Sequence, residues 1–152
     1  MSDIIKINVK RLSDEFNDIK LPEYSTEGSA GMDVRAAVKE GIVIHPGKVV
    51  LMPTNLSVEI PEGYEIQVRP RSGLAAKHGI GILNSPGTID SDYRGEVKII
   101  MMNFGSDDFA ISRGDRIAQL VVSKVYRANL TEKKELKDSQ RGEGGFGHTG
   151  KK

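Results

Sequence analysis

Leu56–Arg69 reads Leu-Ser-Val-Glu-Ile-Pro-Glu-Gly-Tyr-Glu-Ile-Gln-Val-Arg, and its pattern decides the predicted fold. Apolar and polar residues alternate on both sides of the central Pro-Glu-Gly at positions 61–63. Such alternation puts one face of a strand in a core and leaves the other polar, while Pro and Gly mark the turn between strands. The stretch therefore predicts two short strands joined by a turn.

The same pattern recurs along the chain. Gly or Pro interrupts it roughly every ten residues, which is typical of many short strands. Two segments, Val97–Met102 and Ile117–Val122, are more continuously apolar and predict strands buried on both faces. The chain has 15 Ile and 12 Val against 9 Leu, which favours β structure because β-branched side chains suit a pleated surface. These features predict an all-β sandwich or barrel.

Only one helix is predicted, over Ser72–His78, with Ser72 as its N-terminal cap and Gly79 at its end. Thr131–Gln140 is charged and lacks apolar periodicity, which indicates a solvated connector rather than a second domain. We therefore expect a β domain over residues 1–130, followed by a flexible connector and glycine-rich arm over residues 131–152.

Composition excludes several classes of function. The net charge of +1 provides no basic field for a nucleic-acid backbone, so we expect a free small ligand and no nucleic acid. Because the chain has no cysteine, disulfides and thiolate metal sites are excluded. The N-terminus lacks the apolar core of a signal peptide, and the apolar run Ile99–Met102 is too short to cross a membrane. We expect a cytoplasmic protein without membrane contact.

The segment Arg69–Gly73 is the first candidate for chemistry. A predicted strand ends and a helix begins at Ser72, and helix N-termini present unpaired N–H groups that bind anions. Arg71 adds a bidentate phosphate donor. The alternative is a Ser cap beside a solvated Arg.

The segment Asn84–Gly95 predicts a β-hairpin crowded with polar groups. Asn84 offers both a donor and an acceptor, which suits the polar edge of a pyrimidine. Asp90 or Asp92 could act as a general base toward water or hold a divalent cation, and Tyr93 could pack against a sugar. The alternative is a turn with hydrogen bonds from its own Asp and Asn side chains.

Two polar residues interrupt apolar strands. Asp33 lies within Ala-Gly-Met-Asp-Val and needs a cation, an Arg or backbone donors if it is buried. Gln119 interrupts Ile117–Val122 and likewise needs partners. An internal polar network is the alternative reading for both.

Arg141–Gly150 reads Arg-Gly-Glu-Gly-Gly-Phe-Gly-His-Thr-Gly. Half of these residues are glycine, so the segment cannot build a core, but it can bring backbone N–H groups, Arg141 and Thr149 close to a phosphate. Phe146 is free to stack on a flat ring. The prediction is an arm that closes over a ligand, and the alternative is a disordered tail.

Taken in order, these segments resemble the five motifs of the homotrimeric dUTPase family. The matching segments are Ala30–Ala36, Arg69–Leu74, Gly87–Gly95, Arg113–Leu120 and Arg141–Gly150. The resemblance implies a jelly-roll-like β-barrel, a homotrimer and a C-terminal arm that closes over a neighbour's active site. It implies Mg²⁺-dependent hydrolysis of dUTP to dUMP and diphosphate, which keeps uracil out of DNA and supplies dUMP for thymidylate synthesis.

The resemblance also implies roles for individual residues. Asp90 would activate the water that attacks the α-phosphorus, and Asp33 would contact the magnesium through water. The substrate would be bound by Asp90, by residues from four of the motifs, and by one residue on either side of the third motif, namely Arg71, Ser72, Gly73, Asn84, Gly87, Thr88, Ile89, Tyr93, Lys98, Gln119, Arg141, Phe146, Gly147, His148 and Thr149.

Two other functions would fit a chain with this resemblance less well. The dCTP deaminase family resembles this chain in fold, but its catalytic Glu falls five residues past the hairpin glycine, where this chain has Ile100. Isoleucine cannot carry a proton, which disfavours deamination. A non-catalytic nucleotide-binding trimer is the other rival, and Asp90 argues against it because a pure binder gains nothing from a carboxylate beside a polyanion.

Overall fold

The computed structural model describes residues 4–147 as a β structure with one short α-helix, as the sequence predicts. The helix α1 spans Ser72–His78, and a 3-10 turn spans Asp14–Phe16. The strands are β1 Asn8–Arg11, β2 Glu23–Tyr24, β3 Met32–Arg35, β4 Ile42–Ile44, β5 Val49–Pro53, β6 Leu56–Glu59, β7 Tyr64–Arg69, β8 Ile80–Ile82, β9 Gly87–Ile89, β10 Lys98–Asn103, β11 Phe109–Ile111 and β12 Arg116–Lys124.

Most strand neighbours are distant in sequence. The largest sheet has the order β2-β3-β12-β7-β9, and a three-stranded sheet has the order β5-β10-β8. Two further pairs, β1 with β6 and β11 with β4, complete the pairing, and every pair is antiparallel. The turn at positions 61–63 does separate two strands, but β6 and β7 enter different sheets, and both contribute buried residues to one core.

The core follows the period-two pattern. Alternate residues of β10 are buried, and the intervening Ile100 and Met102 are half-buried. In β12, Val121 and Val122 are also half-buried. The prediction that these two strands are buried on both faces is therefore wrong for an isolated chain, although the outer face of each retains apolar groups.

Asn103 connects three parts of the chain at the end of β10. Its side chain is fully buried, and its Nδ2 donates to Ile44 O at 2.8 Å and to Asp107 O at 2.7 Å. Its Oδ1 accepts from Gly105 N at 2.9 Å. Because buried polar groups need partners, this amide fixes β4 and the turn after β10 relative to each other.

If Ser72 were the N-cap, the helix would begin at Gly73, but it begins one residue earlier. Ser72 is its first helical residue, and the extended Arg71 occupies the N-cap without a side-chain capping bond. Ser72 is therefore not the cap, and its hydroxyl is left for another partner. Gly79 does end the helix, with a left-handed φ of 65° and its N–H bonded to Ala75 O.

Val125–Arg141 forms no strand or helix, and every residue in it is exposed. The division into a β domain and a C-terminal connector remains a prediction. Within residues 4–147 there is no helix with the length and apolar character needed to span a membrane.

Candidate functional site

A buried carboxylate, Asp33 on β3, is held between two arginines. Arg71 Nε donates to Asp33 Oδ1 at 3.2 Å, and Arg116 NH1 donates to Asp33 Oδ2 at 3.2 Å. Ser25 Oγ also donates to Oδ2, and Arg71 NH1 donates to the carbonyl of Arg116. Only 4% of the Asp33 side chain is exposed, so both cations compensate a charge that water does not reach. We call Ser25, Asp33, Arg71 and Arg116 the Asp33 cluster.

The Asp33 cluster carries a net positive charge, because two guanidinium groups face one carboxylate. Arg71 and Arg116 keep 24% and 46% of their side chains exposed, so the excess charge is available to an anion. A carboxylate has about four lone-pair sites, and three of those on Asp33 already accept hydrogen bonds. About one lone-pair site of the Asp33 carboxylate is therefore left for a further donor or a cation.

Gln119 lies beside the Asp33 cluster. On β12 it is paired with Asp33 of β3 on one side and with Arg69 of β7 on the other. Its half-buried side chain packs closely on Gly31, where an added Cβ would lie 3.1 Å from Gln119 Cβ. The exposed Ser72 follows the Arg71 of this cluster, so four predicted site residues of this chain, Arg71, Ser72, Gln119 and Asp33, come together at one end of β7 and β12.

Asn84–Gly95 does not form the predicted hairpin. It contains β9, which pairs with β7 rather than with a strand of its own segment, and β8 before it pairs with β10. The segment begins with a turn that includes a cis Ser85–Pro86 peptide. A Cβ added at Gly87 would lie 3.3 Å from Asn84 Nδ2, so the amide of Asn84 lies close to β9.

β9 is the edge strand of the five-stranded sheet. Gly87, Thr88 and Ile89 pair on one side with Val68, Gln67 and Ile66. The other side of an edge strand presents backbone N–H and C=O groups that no neighbouring strand takes up. Together with Asn84, this edge offers the mixture of donors and acceptors that a pyrimidine edge requires.

Tyr93 lies in the loop after β9. Its hydroxyl donates to Glu96 O at 2.9 Å, and its backbone N–H donates to Asp90 O. The ring lies over Gly95, where an added Cβ would be 2.6 Å from Tyr93 Cζ. The ring is 45% exposed, so it presents a fixed apolar surface to solvent or to a ligand.

Asp90 and Asp92 are both exposed and line an open groove of about 700 Å³ that also includes Tyr64, Glu65 and Arg127. Lys98 lies at the start of β10, with its Nζ 3.7 Å from Glu96 Oε2. Within residues 4–147 no three His, Cys, Asp or Glu side chains come together as a metal site.

Asp90 and the Asp33 cluster lie at opposite ends of β7. Because β9 runs antiparallel to β7 with Ile89 opposite Ile66, Asp90 lies beside the beginning of β7. Arg71 follows the last residue of β7, Arg69. Three residues of strand span about 10 Å, so the backbones of Asp90 and Arg71 lie at least about that far apart along β7 in one chain.

The described part of the glycine-rich arm, Arg141–Gly147, hydrogen-bonds within the C-terminal segment. Arg141 Nε donates to Gly144 O at 2.6 Å, and Gly142 N donates to Ser139 O at 3.1 Å. The Phe146 side chain is fully exposed, and its φ is 49°. The predicted phosphate contacts His148 and Thr149 lie outside the described residues.

Arg116 and Ser25 belong to the Asp33 cluster, but the sequence assigned neither of them a role. Arg116 could have been found from its position at the start of the predicted strand, three residues before Gln119, which was predicted to bind phosphate. Ser25 carries no such signal, because its hydrogen bond to Asp33 depends on the pairing of β2 with β3.

A model of the family described as dUTPase matches residues 17–150 of this chain. A deoxyuridine 5'-triphosphate nucleotidohydrolase of Fusobacterium nucleatum is 55% identical over 146 residues, which cover 96% of this chain and 99% of the relative. The enzyme of the same name from a Thermoanaerobacter species is 50% identical over 150 residues, covering 99% of both chains.

Solved structures show the same fold. A mutant of the Staphylococcus bacteriophage 80alpha dUTPase with dUpNHpp matches with a TM-score of 0.84 at 28% identity, covering 95% of this chain and 98% of the other. A mutant dUTPase from the S. aureus phage phi11, described for its coordination of a structural Mg(II) ion, matches with a TM-score of 0.75 at 25% identity, covering 86% and 97%.

Proposed function

Because this chain belongs to the dUTPase family, has its jelly-roll fold and hydrolyses dUTP to dUMP and diphosphate, we propose that Asp90 activates the attacking water. The observation that supports this role most directly is the exposed carboxylate of Asp90 in an open groove, at the end of the edge strand β9. An aspartate is ionised at neutral pH and can accept a proton from water.

The proposed step is a displacement at the α-phosphorus. The water oxygen forms a bond to the α-phosphorus as Asp90 takes its proton, and the bond between the α-phosphorus and the bridging oxygen breaks. The bridging oxygen leaves with the diphosphate, and dUMP keeps the new oxygen. Because a carboxylate is a weak base, positioning of the water must supply much of the rate.

Uracil and deoxyribose would be recognised at β9 and the loop after it. The unpaired side of Gly87, Thr88 and Ile89 would face the pyrimidine edge together with the Asn84 amide. A site that hydrogen-bonds one pyrimidine rejects another strongly, since its own polar groups would stay unpaired. The ring of Tyr93, held by Glu96 O and Gly95, would pack against the sugar and exclude a 2′-hydroxyl.

The phosphates would bind at the Asp33 cluster. Arg71 supplies charge, the uncapped Ser72 hydroxyl and the Gly73 backbone supply donors, and Gln119 adds its amide. Lys98 would contribute a further cation near the loop. Mg²⁺ bound to the triphosphate, with Asp33 contacting it through water, would neutralise charge on the phosphate oxygens.

The separation along β7 supports a homotrimer whose sites are shared. Asp90 of one chain lies at least about 10 Å from Arg71 of the same chain, so one nucleotide would use Asp90 from one copy and the Asp33 cluster from another. The arm supports the same assembly, because Phe146 is fully exposed in the isolated chain and would cover uracil in a neighbour's site. Arg141, Gly147, His148 and Thr149 would then bind the β- and γ-phosphates.

Product analysis with dUTP, dCTP, dTTP and UTP in the presence of Mg²⁺ tests the function. We expect diphosphate from dUTP alone, whereas ammonia from dCTP would contradict it. For the role of Asp90, the variant Asp90→Asn keeps the size of the side chain but lacks the base. It should bind a non-hydrolysable dUTP analogue normally and lose most turnover, about 10²–10⁴-fold; undiminished hydrolysis would remove Asp90 from this role.

A further inference from the structure

The loop that carries Tyr93 is hydrogen-bonded to β6, a strand of another sheet. Ser57 Oγ on β6 donates to Arg94 O at 2.7 Å, and Leu56 O accepts from Val97 N at 2.7 Å. Just before β6, Asn55 N donates to the Glu96 carboxylate Oε1 at 3.0 Å. These bonds hold both ends of the loop segment 94–97, whose Glu96 carbonyl accepts the hydroxyl of Tyr93.

The strand end that supplies these bonds is itself rigid. Asn55 is buried and adopts a left-handed φ of 60°. Its side chain donates to Ser13 O at 2.8 Å and accepts from Ser13 N at 3.0 Å. Ser57 is only 8% exposed, so its hydrogen bond to Arg94 O is shielded from competing water. The support is therefore preorganised rather than adaptable.

We propose that Ser57 and the Glu96 carboxylate are positioning residues that set the enzyme's selectivity for deoxyribose through Tyr93. They touch no reacting atom. They fix the carbonyl that holds the Tyr93 hydroxyl, so the ring keeps the position from which it collides with a 2′-hydroxyl. The inference rests on the proposed role of Tyr93 in excluding ribose.

A competing account is that Glu96 acts through charge on Lys98, whose Nζ lies 3.7 Å from Glu96 Oε2. The two accounts differ in what they require of the side chain. An acceptor for Asn55 N–H is kept in Glu96→Gln and lost in Glu96→Ala, whereas the charge is lost in both. Ser57→Ala loosens the same loop without changing any charge.

The test measures kcat/KM for dUTP and for UTP in the intact protein, and takes their ratio as the readout. We expect Glu96→Ala and Ser57→Ala to lower the ratio on the order of tenfold, since each removes one hydrogen bond that restrains the loop. Glu96→Gln should keep the ratio within about twofold of the native protein. Loss of a merely structural contact would lower kcat/KM for both substrates by the same factor and leave their ratio unchanged.

Glu59→Ala is the matched control, because this exposed carboxylate on β6 accepts a hydrogen bond from Asn8 at the surface and none from the loop that carries Tyr93 within residues 4–147. An unchanged ratio in both Ser57→Ala and Glu96→Ala would overturn the inference, and so would a ratio in Glu96→Gln as low as in Glu96→Ala. If Glu96→Ala does not fold, Ser57→Ala decides alone. Tyr93→Ala tests the role of Tyr93 separately from that of the residues that position it. If this variant keeps the native ratio, Tyr93 does not exclude ribose, and the inference about Ser57 and Glu96 fails as well.

Discussion

A mixture of two inactive variants can show whether Asp90 and Arg71 of one site come from different chains. Asp90→Asn removes the base at one end of β7, and Arg71→Gln removes the phosphate ligand at the other end. Neither variant alone contains an intact site in any assembly. When the two are mixed and allowed to assemble together, a site shared between chains can combine the native Asp90 of one variant with the native Arg71 of the other.

The expected magnitude follows from random assortment in a closed ring of identical subunits. In an equal mixture, half of the chains supply a native Asp90 and half of their neighbours supply a native Arg71, so about one quarter of the sites are intact. A site built within one chain would give no intact sites at all. Because Asp90 and Arg71 of one chain are separated by at least about 10 Å along β7, we expect about one quarter of the sites to be intact.

The assay is diphosphate release from dUTP after joint refolding or co-expression, with each variant alone as the baseline. Asp90→Asn mixed with Asn84→Ala is the matched negative control, because both residues lie on one segment and would serve the same half of a site. We expect no gain above the mean of the two parents in that control. The same absence of gain in the Asp90→Asn and Arg71→Gln mixture would refute the shared site.

Two further predictions concern stability and pH. Asn103→Ala removes the side-chain partner of one buried and two part-buried backbone groups and should lower the unfolding free energy in urea by roughly 3–5 kcal/mol; the exposed Asn17→Ala serves as control, and a similar loss there would contradict this prediction. The Arg113 hydrogen bond lowers the pKa of Asp18. Its stabilisation is therefore fully present above the ordinary aspartate value of about 3.9 and is lost as the pH falls through the lowered folded-state pKa. Arg113→Ala should raise the Asp18 pKa toward that ordinary value in an NMR titration, and an unchanged pKa would contradict the assignment.

Local sequence signals predicted most strands and the helix correctly, because alternation and glycine placement act within a few residues. Two local predictions, the Ser72 cap and the hairpin over Asn84–Gly95, were wrong. Ser72 was predicted as a cap, but the extended Arg71 takes that position. In Asn84–Gly95 the turn residues marked a change of direction correctly, yet they could not indicate that β9 pairs with β7.

The hydrogen bonds that support the site could not be predicted from sequence, because they join residues that are far apart in the chain. Asn55 and Glu96 are 41 residues apart, and Asn103 reaches a carbonyl 59 residues away. Nothing in the residues near Ser57 distinguishes its hydroxyl from any polar group on the outer face of a strand. The residues proposed to contact the ligand carry a clearer signal, because their types suit phosphate and pyrimidine chemistry and the order of their motifs resembles that of the dUTPase family.

The position of β7 between Asp90 and the Asp33 cluster has a genetic consequence. In the proposed trimer, each copy of this strand serves two nucleotides, one near Ile66 and another beyond Arg69. A mutation that breaks the strand's pairing would therefore harm two of a trimer's sites while its partners remain normal. A cell carrying such an allele beside an intact one would lose more than half of its activity, so the defect would be partly dominant rather than recessive.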